Sequence, residues 1–179
     1  SALLRSLRVD SAVVCGLSWG GGIAQAFGVQ YPERLKALVL AGSTVSMSVT
    51  PAEKLLRYVL FPRWAMVTAI RLLSPERFVR FSLWLASVTL GRHWLGRKGE
   101  TLQYLRQCML SIHRDEYLKI WGAIYGFDLL PLERISCPTF VINGERDARM
   151  VSRHKQEILR RVPRAEARVL PGAYHAMCL

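Results

Sequence analysis

Acidic residues are scarce in this sequence, and their scarcity gives the chain a strongly basic balance. Its 179 residues include 13 Asp and Glu against 25 Lys and Arg, for a formal net charge of +12 at pH 7. The basic residues are scattered along the whole chain, without a basic tail, a zinc-finger spacing or an aromatic ribonucleoprotein motif. Since these features mark most nucleic-acid-binding proteins, we expect no nucleic-acid partner.

Cysteine is also scarce, and its four positions are far apart: Cys15, Cys108, Cys137 and Cys178. This number and spacing favour neither a disulfide framework nor a zinc site. We therefore expect reduced thiols, most of them buried. The sequence contains neither a phosphate-binding loop nor a dinucleotide-binding fingerprint, so it implies no cofactor.

No apolar run is long enough for a membrane-spanning helix, and no secretory signal opens the chain, so a cytoplasmic location is expected. One basic and apolar stretch, residues 54–73, has two interpretations. It is either a helix lying on an anionic lipid surface or a helix packed over a substrate site. Pro62 interrupts the stretch and favours packing, so a membrane surface is the less favoured partner.

Apolar residues are plentiful and fall into a pattern that indicates the fold. Hydrophobic residues make up 51% of the chain, which is enough for one sizeable core. Four short apolar runs predict buried strands, at 12–17, 35–43, 139–143 and about 167–170. They lack in/out alternation and are separated by helical patterns, which predicts a parallel α/β sheet covered by helices on both faces.

A long segment between the second and third strands has no strand pattern. Helical segments broken at Pro51, Pro62 and Pro75 follow one another there, so we predict an all-helical cap over 46–128 inserted between core segments 1–45 and 129–179. We expect about one in four of its aromatic side chains to face a ligand and the others to pack between helices. These side chains are Trp64, Phe78, Phe81, Trp84, Trp94, Trp121, Tyr125 and Phe127.

The sequence Gly-Leu-Ser-Trp-Gly at 16–20 lies between the first predicted strand and the helix after it. This G-x-S-x-G pattern in that position is typical of a nucleophile elbow, in which a strained backbone lifts the serine hydroxyl out of the sheet. We expect Gly16 and Gly20 to allow the close approach of strand and helix. The sequence therefore predicts Ser18 as a nucleophile at a helix N-terminus.

A serine nucleophile needs a base to accept its proton, and usually an acid to orient that base. Of the four histidines, His93 and His113 lie in the helical insertion, and His154 lies in a charged helix where a solvated position is expected. His175 follows the last strand. Because parallel strands present their carboxyl ends at one edge of the sheet, His175 is the predicted base.

Two carboxylates follow the third strand and are candidates for the orienting acid. Asp147 is preferred, and Glu145 is the alternative. A solvated turn position for both is the third possibility. The order Ser, Asp, His along the chain matches the α/β-hydrolase order and differs from that of two unrelated protease classes.

Three stretches resemble the α/β-hydrolase fold superfamily: GLSWGGGIAQAFGVQYPERLKALVLAGS (16–43), CPTFVINGERD (137–147) and LPGAYHA (170–176). The resemblance implies the C-terminal half of an α/β-hydrolase parallel sheet, with the helical insertion as its cap. It also implies Ser18 as nucleophile, Asp147 as acid, His175 as base and the backbone N–H of Trp19 as an oxyanion donor.

The resemblance also implies features that this sequence does not contain. Family members take a second oxyanion donor from a loop before the elbow, often at a His-Gly dipeptide, and no such dipeptide occurs here. We therefore expect the chain to be a piece of a larger domain whose first strand presents an unpaired edge.

The expected activity is hydrolysis of a small apolar carboxylic ester, or a similar carbonyl compound, through an acyl-enzyme. A serine in place of aspartate argues against dehalogenase and epoxide-hydrolase chemistry, which forms its ester on a carboxylate. The alternatives are carbon–carbon bond hydrolysis, lactone opening, acyl transfer to another acceptor, and a ligand-binding member without turnover.

Overall fold

The chain divides into two compact units in a computed structural model that describes residues 2–46, 48–96 and 99–177. The first, the sheet unit, is formed by Ser1–Ser46 and Leu129–Met177. The second, the helical unit, is formed mainly by Met47–Asp128. The helical unit therefore interrupts the sheet unit in sequence.

The sheet unit contains β1 (Ala12–Leu17), β2 (Leu35–Ala41), β3 (Thr139–Gly144) and β4 (Ala165–Leu170). Within the described residues they form a four-stranded sheet in the order β1-β2-β3-β4, and every neighbouring pair is parallel. The predicted parallel α/β sheet is therefore confirmed. All the carboxyl ends lie at one edge, which is where site residues gather in such sheets.

The helices alternate with the strands in the sheet unit and follow one another in the helical unit. They are α1 (Ala2–Ser6), α2 (Trp19–Gln30), α3 (Pro51–Leu55), α4 (Arg63–Leu72), α5 (Pro75–Leu90), α6 (Gly99–Leu110), α7 (Arg114–Gly126) and α8 (Arg149–Arg161). Short 3₁₀ turns occupy Pro32–Arg34 and Leu132–Arg134, and a π-helical turn occupies Leu56–Leu60. Among the described residues, no helix is both long and apolar enough to cross a membrane.

One face of the sheet is well covered. Helix α2 packs against β1 and β2, and α8 packs against β3 and β4. Leu38, Leu40 and Val141 are fully buried. On the other face, Val13 of β1 is 60% exposed and Phe140 of β3 is 37% exposed. Successive side chains of a strand point to opposite faces, so these exposed residues share the face opposite the buried ones. Among the described residues, helices therefore cover this second face less completely than the sequence predicts.

The helical unit has its own apolar core. Met66 and Ile70 of α4 pack with Phe78 and Leu85 of α5 and with Tyr117 of α7. The prolines lie at the predicted breaks but start helices rather than only ending them, because proline fits the first helical turn. At the start of α5, the Ser74 side chain caps the helix by accepting a hydrogen bond from the Arg77 N–H, which is the usual role of serine there.

The aromatic side chains of the helical unit differ in burial. Phe78 and Phe127 are buried, whereas Trp64 is 71% exposed and Trp84 is 55% exposed. The remainder are partly buried, and Phe81, Trp121 and Tyr125 pack against the core cluster. Four of the eight thus pack in or against the core cluster. The expected ligand contacts stay a prediction.

The cysteines differ from the expectation of mostly buried thiols. Cys15 and Cys108 are exposed, Cys137 is half-buried and all three are free thiols; Cys178 lies outside the described residues. The prediction is wrong at Cys15 because its position on β1 points to the less covered face of the sheet. Burial raises the pKa of the Cys137 thiol above its ordinary value.

Candidate active site

Ser18 lies at a sharp corner between β1 and α2. Its φ of 52° and ψ of −122° lie in a region that non-glycine residues rarely adopt. Its backbone N–H donates to the carbonyl of Ala41 at 2.8 Å, which ties the corner to the end of β2. Although serine commonly caps helices, this side chain makes no capping bond to α2. The hydroxyl is left to face the carboxyl edge of the sheet.

Glycine is required at this corner, but not at both positions that the motif predicts. A Cβ at Gly16 would lie 2.4 Å from the carbonyl oxygen of Gly20, so the prediction for Gly16 is right. A Cβ at Gly20 would meet nothing within 4 Å, so the steric prediction there is wrong. The second tight contact is at Gly21, where a Cβ would lie 1.8 Å from the Oγ of Ser43. Helix α2 thus approaches the sheet through Gly21.

The structure brings Ser18, His175 and Asp147 together in one chain of hydrogen bonds. The Nε2 of His175 lies 2.8 Å from the Oγ of Ser18, and its Nδ1 lies 3.0 and 3.1 Å from the carboxylate oxygens of Asp147. A carboxylate accepts hydrogen bonds, so Nδ1 carries the proton and Nε2 accepts from the serine hydroxyl. The Asp147 side chain is fully buried, and His175 is 7% exposed.

A glycine that the sequence analysis did not select lies beside this chain of bonds. Gly42 follows β2 with a φ of +53°. A Cβ there would lie 3.1 Å from two ring atoms of His175 and 3.4 Å from Asp147. Glycine is therefore needed both for the backbone conformation and for the close approach. The signal in the sequence is a glycine directly after a buried strand, at the edge where the site residues gather.

The two candidate acids have different partners. One oxygen of Asp147 bonds the imidazole and also accepts the backbone N–H of Ala148 at 2.7 Å. The carboxylate of Glu145 instead accepts the backbone N–H of Gly172 at 2.7 Å. The structure therefore places Asp147, and not the alternative Glu145, against His175.

Trp19, predicted as the oxyanion donor, is the first residue of α2 and directly follows Ser18. The first N–H groups of a helix lack intrahelical acceptors, and the helix dipole gives this end partial positive charge. An anion beside the Ser18 hydroxyl would therefore be stabilised here. The donor role of the Trp19 N–H stays a prediction.

The remaining histidines lie elsewhere, and one of them corrects the sequence analysis. His93 and His113 are exposed in the helical unit. His154 was expected to be solvated but is fully buried, and its Nδ1 accepts the backbone N–H of Val45 at 3.2 Å. It lies three and four residues from the buried Val151 and Ile158, on the packed face of α8.

Comparison with known protein families assigns the chain to one of them. The family model described as alpha/beta hydrolase fold matches residues 1–179. The protein belongs to the alpha/beta hydrolase fold family, as the three resembling stretches implied.

Individual relatives match over most of this chain. A poly(3-hydroxyalkanoate) depolymerase of Ectopseudomonas oleovorans is 25% identical over 173 residues, which cover 96% of this chain and 57% of the relative. A 3-oxoadipate enol-lactonase of Acinetobacter baylyi is 25% identical over 147 residues, covering 82% of this chain and 50% of the relative. The solved structure of a thermophilic esterase matches with a TM-score of 0.65 at 29% identity, covering 98% of this chain and 62% of the esterase. The chain thus spans between half and two thirds of the length of these relatives.

Proposed function

We propose that the protein is a serine hydrolase that cleaves a small carboxylic ester, with Ser18 as nucleophile, His175 as base and Asp147 as the orienting acid. The observation that carries the proposal is the hydrogen-bond chain from Ser18 Oγ through the imidazole to Asp147, at 2.8 and 3.0 Å. The relatives named esterase, lactonase and depolymerase support hydrolysis as the reaction class. No step draws on a cofactor.

In the first half of the reaction, Ser18 Oγ attacks the ester carbonyl carbon while its proton moves to Nε2 of His175. The buried Asp147 carboxylate stabilises the imidazolium and fixes its orientation. The backbone N–H of Trp19 stabilises the negative oxygen of the tetrahedral intermediate. Collapse of that intermediate breaks the ester C–O bond, and the alcohol leaves with the proton from Nε2.

In the second half, water replaces the alcohol beside His175. The imidazole takes a proton from the water as its oxygen attacks the acyl carbon, and a second tetrahedral intermediate forms. Collapse of this intermediate releases the carboxylic acid, and Ser18 Oγ recovers its proton from Nε2. Each half thus uses the same base and the same oxyanion donor.

Lactone opening is the second candidate. It is supported by the relative named 3-oxoadipate enol-lactonase, and it uses the same steps because a lactone is a cyclic ester. An apolar acyl group is proposed for either substrate. The helical unit, which enters the chain after β2, is proposed as a cap that determines which acyl groups fit.

The proposal is tested with p-nitrophenyl esters of graded acyl length and a panel of lactones, using Ser18→Ala and the matched control Ser136→Ala. Ser136 is an exposed serine in the same unit. We expect the Ser18 variant to lose about 10³-fold or more in kcat and the control to keep its activity. A fluorophosphonate should label the wild type and the control only. Ester turnover that survives in Ser18→Ala would contradict the proposal, and a full-length protein that neither turns over nor labels would favour a ligand-binding member.

A further inference from the structure

Two loops meet beside His175: the turn after β3 and the loop after β4, which carries the histidine. The backbone N–H of Glu145 donates to Leu170 at 3.0 Å, and that of Arg146 donates to Ala173 at 2.9 Å. These bonds join the turn to the first part of the histidine loop. The position of His175 therefore depends on how the two loops hold each other.

A side chain adds to this backbone connection. The carboxylate of Glu145 accepts the backbone N–H of Gly172 at 2.7 Å. Glu145 is exposed, and Gly172 lies three positions before His175. The bond crosses from one loop to the other and involves none of the reacting atoms.

Gly172 is the residue of this loop that most needs such a restraint. Its φ is +66°, a conformation that glycine adopts freely, and glycine has more alternative conformations than any other residue. A side-chain oxygen that accepts its N–H favours one of these conformations, because the N–H has this acceptor only there. Without that acceptor, the loop has more conformations in which the imidazole leaves Ser18.

We infer that Glu145 is a positioning residue for the base: by holding Gly172, it keeps His175 within hydrogen-bond distance of Ser18. The inference rests on the proposed function and extends it to a residue that does not touch the reacting groups. Loss of the bond lowers the fraction of molecules in which His175 is in place. It therefore lowers kcat and leaves KM nearly unchanged.

Three variants separate positioning from charge and from stability. Glu145→Ala removes the acceptor, Glu145→Gln keeps an acceptor oxygen without the charge, and Glu166→Ala removes an exposed carboxylate from β4 as a matched control. We expect kcat of Glu145→Ala to fall about three- to tenfold, with KM within about twofold of wild type, because one net hydrogen bond is lost. Glu145→Gln and Glu166→Ala should keep kcat near the wild-type value. All variants should keep Tm within about 4 °C of wild type, because one net hydrogen bond contributes little to the stability of the whole chain.

Three outcomes would overturn the inference. One is an unchanged kcat in Glu145→Ala. Another is an equal loss in the Ala and Gln variants, which would assign the effect to charge. The third is a loss of kcat accompanied by a fall in Tm of more than about 4 °C, which would assign the loss to general stability.

A readout that needs no turnover separates this inference from the proposed function. The Nδ1 proton of His175, which bonds Asp147, is observed by NMR in the wild type and the same variants. We expect its resonance to weaken or shift in Glu145→Ala and to be retained in Glu145→Gln. If the wild type hydrolyses no ester and this pattern is seen, the proposed function fails and the positioning role stands. A resonance that is identical in all variants overturns the positioning role.

Discussion

The imidazole of His175 lies 2.8 Å from the hydroxyl of Ser18, although 157 positions separate the two residues in the chain. The contact exists because both residues follow parallel strands at the carboxyl edge of one sheet. The serine side chain bonds the imidazole and not the first turn of α2. This position of the hydroxyl is the geometric basis of the proposed catalysis.

The first prediction separates the two carboxylates of the turn after β3. Asp147→Asn should lower kcat by roughly 10³–10⁴-fold, because an amide can donate to Nδ1 and thereby favour the wrong tautomer of His175. Glu145→Gln should have little effect, since it keeps an acceptor for Gly172. Steady-state kinetics with one p-nitrophenyl ester measures both. Similar losses of kcat in the two variants would show that the assignment of Asp147 as the orienting acid is wrong.

The second prediction concerns the close approach of α2 to the sheet. Gly21→Ala should destabilise the protein by about 1–3 kcal/mol, because its Cβ would overlap Ser43. Gly20→Ala meets open space and should be neutral or stabilise by up to about 1 kcal/mol. Urea unfolding of the two variants gives the comparison. Equal stability of both would show that the Ser43 contact relaxes without loss.

The third prediction concerns the buried His154. His154→Ala should destabilise the protein by about 2–4 kcal/mol, because it leaves the Val45 N–H without this acceptor and creates a cavity. In His154→Asn, the amide oxygen is as many bonds from Cα as Nδ1 is, so part of the loss should be recovered. Chemical unfolding again measures the difference. If the Asn variant is no more stable than the Ala variant, the bond to Val45 contributes little.

The fourth prediction concerns pH and the ion pair between Arg161 and Glu133, whose atoms lie 2.8 Å apart. The hydrogen bond from Arg161 lowers the pKa of Glu133 below its ordinary value. A folded-state pKa below the unfolded one gives stability that is present above the unfolded pKa and is lost as pH falls through the folded pKa.

Glu133→Gln should therefore lower Tm slightly at neutral pH, by less than about 3 °C for so exposed a pair. The difference from wild type should shrink as pH falls below the ordinary glutamate pKa of about 4.3, and it should vanish below the lowered folded-state pKa of Glu133. Thermal melts over a series of pH values from neutral to acidic test this, with Glu166→Gln as the control. A difference that is constant with pH would contradict an ionic origin.

Much of the sheet could be predicted because its signals are local. The apolar run at 12–17 matches β1 residue for residue, and the strand-to-helix glycine motif locates the corner at Ser18. The meeting of Asp147 and His175 could be predicted as well, since the parallel order of the strands determines which ends share an edge.

Other features depend on contacts that are distant in sequence. The charged neighbours of His154 in the sequence favour a solvated position. Its spacing from Val151 and Ile158, which places all three on one face of the helix, instead indicates burial. The need for glycine at position 21 depends on its contact with Ser43, which follows the end of β2. Asp147 is the preferred acid in the sequence and Glu145 the alternative, but which of the two contacts the imidazole depends on the fold of the turn.

The helical unit lies in sequence between β2 and β3, which pair directly with each other from Leu38 and Thr139 onward. The ladder between these strands is therefore formed without residues of the helical unit. Evolution or an engineer could exchange residues 48–128 for another set of helices and keep the register that brings Ser18 to His175. With the helical unit in its proposed role as a cap, such an exchange would alter substrate preference and leave Ser18, Asp147 and His175 in place.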